Sequence, residues 1–324
     1  LERLQEAVSP AAFHNSGQRR DPPKCHPNTR VAMIVYSDSK YPEDKSMNSL
    51  ILWLYGPAGS GKSAIAQTIA DLLSKEKYLL ASYFFSRFDS TRNHERSIIP
   101  TIAYQLATNI PQVKDLVCAA IDADPLLFTR SLAAQTTSLI VEPLQYLNDS
   151  GYFNEPKPLR VVIVDGLDEC DDRKGQLDIL RTISDSFHQY RLPLLFLIAS
   201  RPEHDIFHAF ASGHLRDLSS RLALDDEYMP SADIELFLAD SFNSIKETHP
   251  FKSQIPPEWP GPEVLQQLVG KSSGQFIYAA TVVKFVESTR HKPANRLEII
   301  LGLRPPVRDL PFAELDALYH QIFA

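Results

Sequence analysis

Between an apolar run, Leu50 to Tyr55, and a helical repeat that starts at Lys62 stands the string Gly56-Pro57-Ala58-Gly59-Ser60-Gly61-Lys62-Ser63. It fits G-x-x-x-x-G-K-[ST], the pattern of a loop that cradles phosphate. The physics needs each part of it. Glycines let the chain turn so that successive N–H groups point at phosphate oxygens. A helix N-terminus adds partial positive charge. Lys62 reaches the β- and γ-phosphates, and the Ser63 hydroxyl ligates Mg²⁺. A strand before the loop and a helix after it are required, and both are legible here. Leu50–Tyr55 is continuously apolar, as in a strand buried on both faces of a parallel sheet. Ile65, Ile69, Leu72 and Leu73 fall on one side of a helix over 62–74.

A second apolar run, Leu159 to Val164, ends in Asp165 and continues as Gly166-Leu167-Asp168-Glu169. A carboxylate at the end of a buried strand is the usual partner of a phosphate loop, holding Mg²⁺ through its water shell. Asp168 and Glu169 are both candidates for orienting or deprotonating an attacking water, with Glu169 preferred. A third run, Leu194 to Ala199, delivers Ser200-Arg201-Pro202 at a strand end, where ligands of such sheets gather. Arg201 there is a candidate to read the γ-phosphate, because a guanidinium binds phosphate oxygens bidentately. Arg87 is the next candidate for that role.

Further strands are expected at 79–85 and, as an edge strand, at 218–224. Helices are expected at 98–106, at 113–147 in two pieces around Asp124-Pro125, and at 176–190. Strands alternating with helices predict an α/β fold, a parallel sheet flanked by helices. After Tyr228 the strand signals stop. Helices are expected at 234–242, 263–269, 276–286 and, after the prolines of 304–311, at 312–323. This gives an N-terminal arm over 1–46, a phosphate-binding core over 47–228, a small helical domain over 229–303 and the start of a further domain over 304–324. The chain opens on Leu1 and stops inside a helical pattern, which reads as a piece of a longer protein.

Composition narrows the function further. Lys plus Arg number 33 against 40 for Asp plus Glu, a net charge of −7, so the basic footprint of a nucleic-acid binder is absent. Cys25, Cys118 and Cys170 are too few and scattered for a disulfide framework or a zinc site, which points to a reducing, cytoplasmic setting. The longest apolar stretch, 192–199, is too short to cross a bilayer, so no membrane partner is expected. Ser272-Ser273-Gly274-Gln275 looks like an ABC-transporter signature but follows the acidic strand instead of preceding it. The guanine-reading N-K-x-D is missing. His26 and His94 stand alone in the sequence and read as surface residues.

Together, the phosphate loop, the Val161–Cys170 acidic strand and Ser200-Arg201-Pro202 resemble a NACHT-type NTPase of the STAND class. The Pro22–Arg30 stretch, Tyr83-Phe84-Phe85-Ser86-Arg87 and Gly274–Ala279 are similar to the fungal members of that class and to the nephrocystin-3-like N-terminal NTPase region. The resemblance implies a nucleotide switch that binds and slowly hydrolyses ATP or GTP with Mg²⁺. Its core would be followed by a helical lid and the start of a winged helix, with effector and sensor domains elsewhere. The NTP state would favour homo-oligomers. By motif position Thr29 and Arg30 would lie near the base or ribose, and Arg201 on the γ-phosphate. Two other functions are compatible with a phosphate loop: a small-molecule kinase and a non-hydrolysing nucleotide-binding scaffold.

Overall fold

The structure, a computed structural model, describes residues 2–19, 21–29, 50–153, 160–190, 192, 194–224, 230–303, 310–313 and 316. The apolar run at 31–36, Arg30 and most of the helix expected at 312–323 lie outside them. The chain divides into two units.

The first unit comprises Leu1–Lys24, Ile34–Pro57 and Lys62–Ala223. Its five strands are β1 (Ile51–Tyr55), β2 (Leu79–Phe84), β3 (Arg160–Asp165), β4 (Leu194–Ser200) and β5 (Ser219–Ala223). They form one sheet in the order β2-β3-β4-β1-β5, with every neighbouring pair parallel. This is the parallel, helix-flanked sheet of an α/β fold. The inner strands β3 and β4 are buried almost without a break, whereas β5 at the edge keeps Leu222 inside and Arg221 in solvent. Burial on both faces is what continuous apolar runs are for, and alternation suits an edge.

The strand order sets the site. The strands that precede the phosphate loop and carry Asp165 are not neighbours, because β4 runs between them. Tyr55 lies opposite Ser200, and Asp165 lies opposite Ala199. The carboxyl ends of β1, β4 and β3 therefore stand side by side on one rim. Trp53, fully buried, ties β1 to β4 by donating from Nε1 to Ser200 Oγ at 2.9 Å. Its ring stacks on Phe210 at 4.2 Å and on Tyr55 at 4.3 Å.

Among the described residues no strand lies beyond the other edge, β2, yet its residues are buried. Side chains take the place of a strand. Gln105 accepts from the Ser82 N–H at 3.0 Å and donates to the Ser82 carbonyl at 2.9 Å. Asn109 donates to the Leu80 carbonyl at 2.7 Å. Both project from the helix Ile98–Asn109, so the edge's polar groups are satisfied without an open ladder. The first 24 residues add to this cover. Leu4 of the short helix Glu2–Ala7 is fully buried, the Ser9 N–H donates to Thr101, and the His14 N–H donates to Ser82 at 2.9 Å.

The helices expected within the described residues form, with informative differences. The helix Pro111–Ala123 stops because Pro125 forces Asp124 into an extended conformation. The second piece starts at Ser131, whose hydroxyl caps Leu132–Thr136, and passes through a π-turn at Thr137–Val141 into Glu142–Asp149. The helices His204–Ala211 and Gly213–Leu218 were not foreseen. Each is short, and only Ile206, Phe210 and Leu215 are buried along them, too few to show a period.

The second unit comprises Cys25–Met33, Ala58–Gly61 and Leu224–Ala324. Its described elements are helical: Pro230–Thr248, Pro262–Ser272, Phe276–Val286 and Pro293–Ile300. Ile234, Leu238, Phe242 and Ile245 recur at helical spacing and build its core with Leu268, Ala279, Val282 and Leu297. His26, isolated in the sequence, pairs here with Asp240 at 2.9 Å. The Gly59 carbonyl accepts from the Ile277 N–H at 3.4 Å. Gly59 has φ +75°, and a Cβ there would run into Ile277 Cγ2, so glycine is the residue that fits.

Candidate functional site

The site is read from the first unit, starting at the helix Lys62–Lys75, whose first residues are Lys62 and Ser63. Lys62 Nζ donates to the Gly56 and Pro57 carbonyls, both at 2.8 Å. Burial pushes its ammonium pKa down, while the charges of Asp168 and Asp165 pull the other way. A half-desolvated cation at the root of the loop is what a phosphate group would seek.

Asp165 ends β3 and is 4% exposed. Burial pushes its carboxyl up to about 7, and Glu169 adds to that; the Ser63 hydroxyl bonds to it, and the Lys62 and Arg19 charges oppose the rise. Its Oδ1 has no hydrogen-bond partner. A buried carboxylate oxygen left unmatched beside a serine hydroxyl is a pair of hard oxygen donors, which suits a Mg²⁺ ion that keeps water and phosphate as its other ligands. Among the described residues no three His, Cys, Asp or Glu side chains gather to hold a metal unaided.

Gly166 then takes φ +71°, donates its N–H to the Ala199 carbonyl at 2.9 Å, and turns the chain into a 3₁₀ turn, Leu167–Glu169. The turn sends its two acids to different partners. Asp168, 4% exposed, accepts the Arg201 N–H at 2.8 Å and pairs with Arg201 Nε at 3.1 Å. Glu169 is less buried and accepts the Arg87 N–H on Oε2 at 3.2 Å. Burial and then the Asp168 charge raise the Glu169 pKa, with the Arg87 N–H and the Arg201 charge opposing. Asp168 is thus the tether of the β4 end, and Glu169 the acid with the raised proton affinity.

Of the residues expected to act together, Lys62, Ser63, Asp165, Asp168, Glu169 and Arg201 converge on this rim. Thr29 belongs to the second unit, where it is buried and its hydroxyl donates to the His26 carbonyl at 2.7 Å. Arg19 was missed. Its guanidinium lies 3.8 Å over the Phe84 ring, and Nη1 donates to Gln67 at 2.6 Å and to the His14 carbonyl at 3.2 Å. Phe84 is the cross-strand partner of Asp165, and burial lowers the Arg19 pKa to about 10 while Asp165 opposes. Nothing around Arg19 in the sequence signals this; the approach is a tertiary one.

The model of the nephrocystin-3 N-terminal family matches residues 35–201, more than half of the chain and the whole stretch from ahead of the phosphate loop to Arg201. The chain belongs to the nephrocystin-3 N-terminal family. Thr29 and Arg30 precede the matched stretch of this nephrocystin-3-type region. Among solved structures, the Aeropyrum pernix ORC1 protein, determined in complex with DNA, aligns over 84% of this chain and 59% of its own, with 15% identity and a TM-score of 0.41. PCH-2 of C. elegans aligns over 93% of this chain and 70% of its own, with 11% identity and a TM-score of 0.40. The nephrocystin-3-type chain thus spans 59% of the length of the ORC1 structure. A comparison with curated proteins finds no match.

Proposed function

We propose that the chain is a nucleotide-dependent switch of the NACHT and STAND type, which binds ATP or GTP with Mg²⁺ and hydrolyses it slowly. The observation that carries this reading is the division of labour on the rim. Lys62 stands at the phosphate loop, Ser63 and Asp165 offer oxygens, Asp168 is spent on Arg201, and Glu169 keeps a raised proton affinity. A Mg²⁺ ion bound by Ser63 and Asp165 would supply charge neutralisation across the phosphates. Lys62 binds the β- and γ-phosphates, Gly56–Ser63 supplies N–H donors, and Glu169 takes a proton from the attacking water. Arg201 reads the γ-phosphate, and Thr29 and Arg30 stand near the base or ribose. The partners are the nucleotide, further copies of the full-length protein in the NTP state, and effector and sensor domains. A net charge of −7 supports a nucleotide in preference to nucleic acid, and a reducing cytoplasm suits three cysteines that form no disulfide. No described helix is long and apolar enough to cross a membrane.

The metal role has its own test. Asp165→Asn is expected to leave nucleotide affinity unresponsive to Mg²⁺, because an amide is a poorer ligand for a hard cation. Titration of a fluorescent nucleotide with and without Mg²⁺ checks it, and a wild-type response in the variant places the metal elsewhere.

The sensor role is tested by Arg201→Ala, which should keep NDP affinity and lose the preference for NTP. One charge-assisted contact at ~1.5–3 kcal/mol corresponds to roughly ten- to two-hundred-fold, and a second multiplies it. A ligand shifts a conformational equilibrium only by its differential affinity for the two states, so this sets the bias of the switch. Paired NTP and NDP titrations measure it. Persistence of the wild-type ratio would show that another group reads the γ-phosphate. Turnover with and without candidate phosphate acceptors separates the switch from a kinase.

A further inference from the structure

The turn that carries the acids is held from two sides. On one side Arg201 grips Asp168. On the other lies the loop that follows β2, residues 86–93. This loop is braced internally: the Ser86 N–H donates to the Arg92 carbonyl at 3.2 Å, Arg92 Nε pairs with Asp89 at 2.8 Å, and Arg92 Nη1 donates to the Phe84 carbonyl at 3.0 Å. It then grips the acidic segment through four hydrogen bonds. The Arg87 N–H donates to Glu169 Oε2 at 3.2 Å, Arg87 Nη2 donates to the Asp168 carbonyl at 3.3 Å, and the Asp171 N–H donates to the Asn93 carbonyl at 2.7 Å. Asn93 Nδ2 also bonds to the Asp171 carboxylate.

We propose that Arg87 is the positioning residue of Glu169, so that the loop after β2 sets where the proton-accepting carboxylate points. This rests on the hydrolytic reading above. The Asp168 carbonyl and the Glu169 N–H share one rigid peptide plane. Fixing that carbonyl with the Arg87 guanidinium fixes the start of the Glu169 side chain. The Arg87 N–H then takes Oε2, which leaves Oε1 as the oxygen to meet a water. The guanidinium charge beside the carboxylate favours its ionised, proton-accepting form. The other charges that face Glu169 are Asp168 in the same turn, Arg201 from the end of β4, Asp165 from the end of β3 and Lys62 at the start of the helix Lys62–Lys75. In this role Arg87 is spent on the acidic turn and is not the reader of the γ-phosphate.

The test compares wild type, Arg87→Ala, Arg87→Lys and Glu169→Gln of the full chain, measuring nucleotide affinity and phosphate release over a pH series. Arg87→Ala is expected to bind nucleotide as wild type does and to release phosphate roughly ten- to a hundred-fold more slowly, as a misplaced catalytic group does. The acid limb of its pH profile should move to higher pH, because a cation that favours the carboxylate has been removed. Arg87→Lys should return that limb towards its wild-type position. Wild-type turnover and an unmoved limb in Arg87→Ala, with Glu169→Gln inactive, overturns the role of Arg87 alone. Loss of nucleotide binding in Arg87→Ala overturns it too, since Arg87 would then touch the nucleotide. Full activity in Glu169→Gln overturns the base assignment and the role of Arg87 with it.

Discussion

Replacement of Lys62 by alanine is expected to weaken NTP binding by roughly 10²- to 10⁴-fold and to end turnover. Charge-assisted hydrogen bonds contribute ~1.5–3 kcal/mol each, and an ammonium between two phosphates makes at least one to each. The structure adds a second reason. Asp165, Asp168 and Glu169 share the rim, and Lys62 is the cation rooted in the loop that faces the first two. Without it, phosphates would approach carboxylates with Arg87 already engaged on the acidic turn, leaving Arg201 to meet the γ-phosphate through the guanidinium nitrogens that Asp168 does not take. The fold should survive, because Lys62 is held by two loop carbonyls and carries a desolvation cost that alanine does not. Titration with a fluorescent nucleotide, beside a thermal melt, checks both parts. Wild-type affinity in a folded variant would remove the phosphate-loop assignment.

Glu169→Gln should bind nucleotide normally and hydrolyse it ~10²- to 10⁴-fold more slowly, the usual range for losing a general base. The amide keeps the shape and can still accept the Arg87 N–H, but it takes no proton. Asp168→Asn should behave differently. Asp168 receives two N–H donors of Arg201 in a buried position, so its neutral amide should lower stability by about 1–3 kcal/mol, a cost that Glu169→Gln does not share. Denaturant melts and single-turnover assays on the pair separate tether from base. The pH dependence has a definite sign. A base works deprotonated, so turnover rises with pH through the Glu169 pKa. Burial has raised that pKa, and the acid limb therefore lies at higher pH than for an exposed glutamate.

How much of this was legible in the sequence follows from where each signal is stored. The strands before Gly56 and Gly166 were legible because burial on both faces demands an unbroken apolar run. The strand, turn and helix around Gly56–Ser63 were legible because the phosphate-loop pattern fixes residue type and spacing within one turn of chain. The choice between Asp168 and Glu169 was not. Two acids in adjacent positions have the same chemistry, and only the 3₁₀ turn sends one to Arg201 and the other to Arg87. The strand order was hidden for the same kind of reason, since pairing β4 between β1 and β3 leaves no local mark. Arg19 was hidden most deeply. It reaches the edge of the site through Phe84 and Gln67, each more than 40 residues away in the chain. The cover over β2 was equally silent, because Gln105 and Asn109 look like ordinary polar positions of an amphipathic helix.

In the proposed function Lys62, Asp165 and Glu169 make a Mg²⁺-dependent NTP hydrolase. Its most direct test is phosphate release from ATP and GTP, in parallel, by wild type and Glu169→Gln, with Mg²⁺ and with a chelator. The prediction is slow release in proportion to wild-type protein, abolished by the chelator and nearly absent in Glu169→Gln. Nucleotide bound tightly by wild type with no phosphate released, or release that Glu169→Gln leaves unchanged, would contradict it.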